Sequence, residues 1–231
     1  MFWKKNYKLK EKNMKNISEK QDQQIGRVIA AVILLGLSFY GLTHTHFYYI
    51  QYSFLAIAGL LSYIIVFGIS NMKNLFRKPI HFFRTFVFVL IGSQLYGFLS
   101  AFLMGALSKI LDIQTKANSA QENPWWFFII IMPIALLGEE IFSITILDIL
   151  RKKFNINALV ASLITAIIFG LIHFGTYLGS SAWFTIVQII LVQGGARVWF
   201  NHAYLKTKSI NTSWGVHYIY DLIAFVIGGI L

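Results

Sequence analysis

From residue 27 onward the chain is a succession of seven long apolar runs separated by short polar joints. The runs are Arg27–Ile50, Tyr52–Met72, Ile80–Leu107, Trp125–Leu150, Ile156–Phe174, Ala182–Leu205 and Thr212–Leu231. Each reaches, or nearly reaches, the roughly 20 residues that a helix needs to cross about 30 Å of hydrocarbon. Inside lipid every backbone N–H and C=O must be paired within the segment, so helices are the expected form. The joints are short, so consecutive helices should be antiparallel neighbours. The pattern therefore predicts an all-α fold, a polytopic transmembrane helix bundle of about seven spans. Met1–Gly26 differs in being polar and Lys-rich. No apolar stretch with a small-residue cleavage site follows it closely, so it reads as a basic tail and not as a signal peptide. There is no internal repeat. The expected organisation is a basic cytoplasmic tail over residues 1–26, read as a disordered anchor, and a membrane domain over 27–231.

Composition makes the membrane reading firm. Hydrophobic residues are 57% of the chain and charged residues 13%. A soluble domain carries roughly 25% charged residues to wet its surface. The 21 Phe suit a lipid-facing surface. With no cysteine, disulfides, thiolate metal sites and a cysteine nucleophile are excluded.

The net charge of +11 raises the question of nucleic acid, and its distribution answers it. With the N-terminus inside, eight Lys and Arg lie in the tail through Arg27. Four more lie between the second and third runs (Lys73, Arg77, Lys78, Arg84), three between the fourth and fifth (Arg151, Lys152, Lys153), and two before the last (Lys206, Lys208). That places 17 of 20 on the cytoplasmic side, against Lys109 and Lys116 outside and Arg197 within a span. The charge is topological. The partner it implies is the lipid bilayer, with the tail at most touching anionic lipid, and no nucleic acid.

Ionisable groups inside a span cost roughly 2.5–3.5 kcal/mol each and need a reason. Glu139 and Glu140 stand in the fourth run, His173 in the fifth, Arg197 in the sixth, and His217 and Asp221 in the seventh. His217 and Asp221 are i, i+4, as are Phe169 and His173, so each pair shares a helix face. Glu139 and Glu140 point about 100° apart on a helix, so one can face a cavity while the other pairs with a neighbour. Glu140, Asp221, His217 and Arg197 lie 7 to 11 residues from the nearest cytoplasmic joint, a matched depth of roughly 10–16 Å. His173 is 17 residues from Ile156, too deep for a helix that starts at the surface and runs straight. Asp148, close to Arg151, reads as an interfacial charge, Pro133 as a kink, and His44, His46, His81 and His202 as interface residues.

Two glutamates, two histidines and an aspartate offer a general base, a general acid and oxyanion partners without a covalent nucleophile. That set suits amide hydrolysis by activated water inside the membrane. The same donors would also suit zinc. The zinc-protease motif H-E-x-x-H and the serine elbow G-x-S-x-G are absent. Tyr220-Asp221 has the Y-D of presenilin-type aspartyl proteases, but the partner G-x-G-D is missing.

The order Gly138-Glu139-Glu140, then Phe169-x-x-x-His173, then His217-x-x-x-Asp221, resembles the CPBP family of CAAX-protease and bacteriocin-processing membrane proteins, also called Abi. Its pattern is E-E-x-x-x-R, F-x-x-x-H and H-x-x-x-N or D. The run Tyr204–Ile210 with Ser213-Trp214 before His217 is similar to the family's approach to the last motif. The resemblance covers 125–231, a CPBP-like catalytic core. It implies an intramembrane endopeptidase of a bacterial plasma membrane, in which Glu139 is the general base and His173 helps to activate the water. His217 and Asp221 would form the oxyanion side, and Glu140 would orient the site. No cofactor is implied, although the family's endopeptidases were once taken for zinc enzymes. The implied partner is a peptide or membrane-protein substrate, including a bacteriocin or its receptor. The alternative is a non-catalytic bacteriocin immunity or peptide-binding membrane protein. Two departures stand out. The family's Arg falls on Ile144, and Asp221 stands where Asn is commoner. Arg197, the one intramembrane cation, is the expected substitute for the missing Arg, and a contact between it and a glutamate would favour the endopeptidase.

Overall fold

The computed structural model describes the backbone of residues 2–45 and 47–228, and the side chains of 22–45 and 47–226. His46 lies outside the described residues, as do the last three positions of the seventh run. Among the described residues the structure is helical with no strand.

Helix α1 runs from Phe2 to His44. The tail's backbone is therefore helical and continuous with the first span, where a disordered anchor was expected. Its sequence contains no proline, has no glycine before Gly26, and is rich in Lys, Gln and Glu, which lose little side-chain freedom in a helix. A 3-10 turn, Ile50–Ser53, leads into α2, Phe54–Phe67. Gly68, at φ 85, breaks the second run before the short α3, Ile69–Leu75. Helix α4 spans Phe82–Ile110.

The fourth run is divided. Helix α5, Trp125–Ile130, ends at Ile131, and α6, Met132–Lys152, begins with Pro133 in its first turn. Proline has no N–H to continue a helix, and it fits a helix start. Pro133 thus begins a helix instead of kinking one. Its carbonyl also accepts from Trp214 Nε1 at 2.9 Å. Helix α7 covers Ala158–Ile172, α8 is Phe174–Tyr177, and α9 is Ala182–Ile189. A π turn, Ile190–Gly194, joins α9 to α10, Gly195–Thr207, and α11 runs Ile210–Gly228.

By length and composition, four stretches among the described residues can cross a membrane: Asp22–His44, Ile50–Phe67, Phe82–Ile110 and Ala182–Thr207. The other three runs are helical but fall short for identifiable reasons. Helix α7 has 15 residues. Helix α6 carries Glu139, Glu140, Asp148, Arg151 and Lys152, and α11 carries Asn211, His217 and Asp221. The surface is the inverse of a soluble protein's. Phe83, Leu95, Leu99 and Phe102 on α4 are exposed, whereas Glu140, Asp148, Arg197, Asn201 and His217 are buried. That distribution fits lipid outside and polar groups paired inside.

Joints expected on the same side of the membrane meet. The joint after α3 is tied to that between α10 and α11, through Arg77 Nε donating to the Lys208 carbonyl at 2.8 Å and Ser209 Oγ donating to the Arg77 carbonyl at 2.7 Å. At the other end, Ser180 N donates to the Gln114 carbonyl and Asn118 Nδ2 donates to Tyr177 Oη.

Helix α6 is the central element. Gly138 lets it lie against α2 so closely that a Cβ there would come within 2.8 Å of the Ala56 nitrogen. On its other faces Ile141, Ile144 and Leu147 join Tyr63, Tyr204 and Ile210 in an apolar cluster. Asp148 is fully buried beside this cluster, not interfacial. Its Oδ2 accepts from Tyr63 Oη at 2.8 Å, Tyr204 Oη at 2.9 Å and Lys152 Nζ at 2.6 Å. Two hydroxyls from α2 and α10 thus partner Oδ2, while among the described residues Oδ1 is buried without a partner, and the neighbour in sequence, Arg151, makes no hydrogen bond to either.

Candidate active site

The site is assembled from α6, α7, α8, α10 and α11. Consecutive residues on α6 diverge, and Glu139 and Glu140 take different partners. Glu140 is fully buried and receives Arg197 in a fork, Nη1 to Oε1 at 2.5 Å and Nη2 to Oε2 at 3.1 Å. Two parallel charge-assisted hydrogen bonds make this a strong, directional pair. Arg197 reaches it because Gly194 brings the start of α10 against α7. A Cβ at Gly194 would stand 2.9 Å from the Ala166 carbonyl oxygen. Arg197 Nε donates to Asn201 Oδ1 at 3.0 Å, and Asn201 Nδ2 donates to Ser162 Oγ at 3.0 Å. The guanidinium lies between the Phe169 and Phe200 rings, its Cζ 5.6 and 5.3 Å from their centroids. The cation is thus bonded to Glu140 and Asn201 and packed between aromatic faces, with no exposed surface.

His217 Nδ1 lies 3.0 Å from Glu140 Oε1. A carboxylate held by arginine only accepts, so this Nδ1 carries a proton and donates. The ring stacks on Phe200 at 4.5 Å between centroids. Its Nε2 faces Asp221 Oδ2 at 3.5 Å and Glu139 Oε2 at 3.9 Å. The Glu139 side chain keeps 22% of its surface and Asp221 24%, so both line an opening while Glu140 forms its floor.

Helix α7 ends at Ile172, and His173 lies at its C-terminal cap, with φ −86 and ψ 0. Fifteen residues rise roughly 22 Å, less than the hydrocarbon thickness, so α7 stops inside the bundle. That break is why a residue so far along the fifth run still reaches the site. His173 Nδ1 lies 2.7 Å from the Phe169 carbonyl oxygen, which makes it a donor and leaves Nε2 with its lone pair. Glu139 is within electrostatic reach of His173, His217, Asp221 and Glu140. The structure therefore brings together Glu139, Glu140, Phe169, His173, Arg197, His217 and Asp221. Ile144, where the family Arg would fall, is buried in the apolar cluster one helical turn beyond Glu140.

Sequence reasoning missed Asn201, Ser162 and Phe200. Asn201 carried a usable signal, being an amide within an apolar run at i+4 from Arg197. The stacking of Phe200 on His217 had none. Among the described residues no three His, Asp or Glu side chains form a group able to hold a metal ion, and both Glu140 oxygens are taken by Arg197.

Residues 121–223 match the family model of the type II CAAX prenyl endopeptidases, Rce1-like. This segment runs from the joint before α5 to two residues past Asp221, and it contains all seven residues of the constellation. It is the CPBP/CAAX protease family that the motifs resemble. The match therefore supports a protease at the level of the family, in a chain whose apolar helices make it a membrane protein. No curated protein and no solved structure matches the chain.

Proposed function

We propose that this protein is a multi-pass intramembrane endopeptidase of a bacterial plasma membrane, hydrolysing a peptide bond with water activated by Glu139. The observation that carries the reading is the division of labour between adjacent glutamates. Glu140 is fully engaged by Arg197 and His217, while Glu139 stands free of the arginine at the opening. Glu139 takes a proton from water as the water oxygen bonds to the substrate carbonyl carbon. His173 Nε2 accepts a hydrogen bond from the other water hydrogen. The carbonyl oxygen becomes an oxyanion, to which His217 donates from Nε2 as an imidazolium held between Glu140 and Asp221. Collapse breaks the C–N bond, and Glu139 returns its proton to the leaving amine. No metal takes part in these steps. The substrate is a peptide or membrane-protein segment entering near the cytoplasmic side.

A second reading, a bacteriocin immunity or peptide-binding protein without catalysis, draws on Ile144 replacing the family Arg. The Arg197–Glu140 fork favours catalysis, because the positive charge is retained on another helix. The test uses the full chain in lipid nanodiscs with internally quenched peptides, farnesylated and unmodified. Cleavage by the wild type, lost in Glu139→Ala and unaffected by a zinc chelator, is expected. Peptide binding without cleavage would transfer the case to the second reading.

A further inference from the structure

The opening between Glu139, Asp221 and His217 has an excess of acceptors. Both carboxyl groups line it, and His173 Nε2 presents a lone pair. With His217 protonated on both nitrogens between Glu140 and Asp221, its Nε2–H is the one donor so far described there, and an ionised Asp221 accepts but does not donate. An oxyanion formed among these groups needs a further hydrogen bond of the opposite polarity.

Tyr177 is placed to give it. It ends α8, one turn beyond His173, with its backbone N–H donating to the His173 carbonyl at 3.2 Å. Its ring lies 6.3 Å from that of His173. Its hydroxyl oxygen accepts from Asn118 Nδ2 at 3.2 Å. It is also close to the Gln193 side chain and within electrostatic reach of Asp221 and Glu139. Among the described hydrogen bonds the Tyr177 hydroxyl acts only as an acceptor, so its own hydrogen is uncommitted. Gln193 adds an independent sign of a ligand. Its buried Oε1 has no hydrogen-bond partner, and it projects from the π turn, a local irregularity frequent at functional sites. A peptide group brings both of the needed polarities: a carbonyl oxygen for the Tyr177 O–H and an N–H for Gln193 Oε1.

Resting on the endopeptidase reading above, we propose that the Tyr177 hydroxyl is a further catalytic donor to the oxyanion, supplying the hydrogen bond that Asp221 cannot give. Asn118 and Gln193 are its positioning residues. Asn118 belongs to the joint between α4 and α5, so that joint holds the donor in place from the side opposite the basic ends of the helices.

The experiment compares full-length variants in nanodiscs on whichever quenched peptide the wild type cleaves. Loss of one oxyanion donor lowers kcat by roughly 10²–10³-fold. Tyr177→Phe should show that loss with KM within about twofold, and Asn118→Ala a smaller loss of the same kind. Asp221→Asn in the Tyr177→Phe background brings an amide donor to the pocket and should restore at least about tenfold. A merely structural tyrosine would not respond to that second change. Tyr177→Phe with near wild-type kcat, while Glu139→Ala is inactive, overturns this proposal and leaves the endopeptidase intact. A loss that Asp221→Asn does not restore also overturns it. A wild type that cleaves no peptide overturns the endopeptidase reading and this inference with it.

Discussion

Removing Arg197 exposes how much of the bundle depends on one buried ion pair. Both partners have fully buried side chains and share two hydrogen bonds. Breaking such a pair by deleting one partner costs roughly 3–5 kcal/mol, because the survivor is left as an uncompensated buried charge. Arg197→Met should cost that much, and so should Glu140→Leu. Replacing both removes the stranded charge. The double variant keeps two debts, however: the Nδ1 of His217 loses its acceptor and Asn201 Oδ1 loses its donor, each worth about 1–3 kcal/mol when buried. It should therefore lie about 2–6 kcal/mol below the wild type, short of the sum of the single changes. The assay is a double-mutant cycle on reversible unfolding in mixed detergent micelles. Arg197→Lys should fall between the wild type and Arg197→Met, since an ammonium keeps a charge opposite Glu140 but reproduces neither the fork nor stacking between Phe169 and Phe200. Single variants costing under about 1 kcal/mol, or losses that simply add in the double, would refute the reasoning.

Two further outcomes follow from the packing. Asp148→Ala leaves the hydroxyls of Tyr63 and Tyr204 without their acceptor and should destabilise by about 2–4 kcal/mol in the same unfolding assay, with Asp148→Asn costing less. Because the chain has no cysteine, single cysteines report topology directly. One at Lys116 should react with an impermeant maleimide on intact cells and one at Lys153 only after permeabilisation, and the reverse pattern would invert the assigned orientation.

The apolar runs made all seven helical segments legible, because length and hydropathy are properties of contiguous sequence. Breaks within them were less legible. Pro133 pointed to an irregularity but not to a fresh helix start, and the π turn at Ile190–Gly194 left no mark in composition. The divergence of Glu139 and Glu140 followed from 100° per residue, and Arg197 was conspicuous as a lone intramembrane cation. Asp148 was misjudged because its distance along α6 from Arg151 looked interfacial. Its burial is decided by Tyr63 and Tyr204, 85 and 56 residues away, which no local pattern shows. Tyr177 was hidden for a similar reason. A tyrosine near a run's end reads as interfacial, and only the early end of α7 draws it toward the site.

The place of the arginine on α10 also bears on how the site comes to exist. An arginine at position 144 would lie one turn from Glu140 on the same helix, so a single span could neutralise its own glutamate as soon as it formed. With Ile144 there, α6 enters the bundle carrying a carboxyl group that nothing on its own face compensates. The partner arrives on α10, 57 residues later, and is itself in order only when Asn201 meets Ser162 on α7 and the Phe169 and Phe200 rings close around it. Charge pairing at Glu140 is therefore conditional on α6, α7 and α10 being packed together. His217 is conditional in turn, since its Nδ1 needs the Glu140 oxygen that Arg197 also holds. Ile144 contributes instead to the apolar cluster with Tyr63 and Tyr204 that presses α2 and α10 onto α6. With its cation on another helix, Glu140 depends on a long-range interaction and not a local one, so the constellation around Glu139 forms only in the assembled bundle.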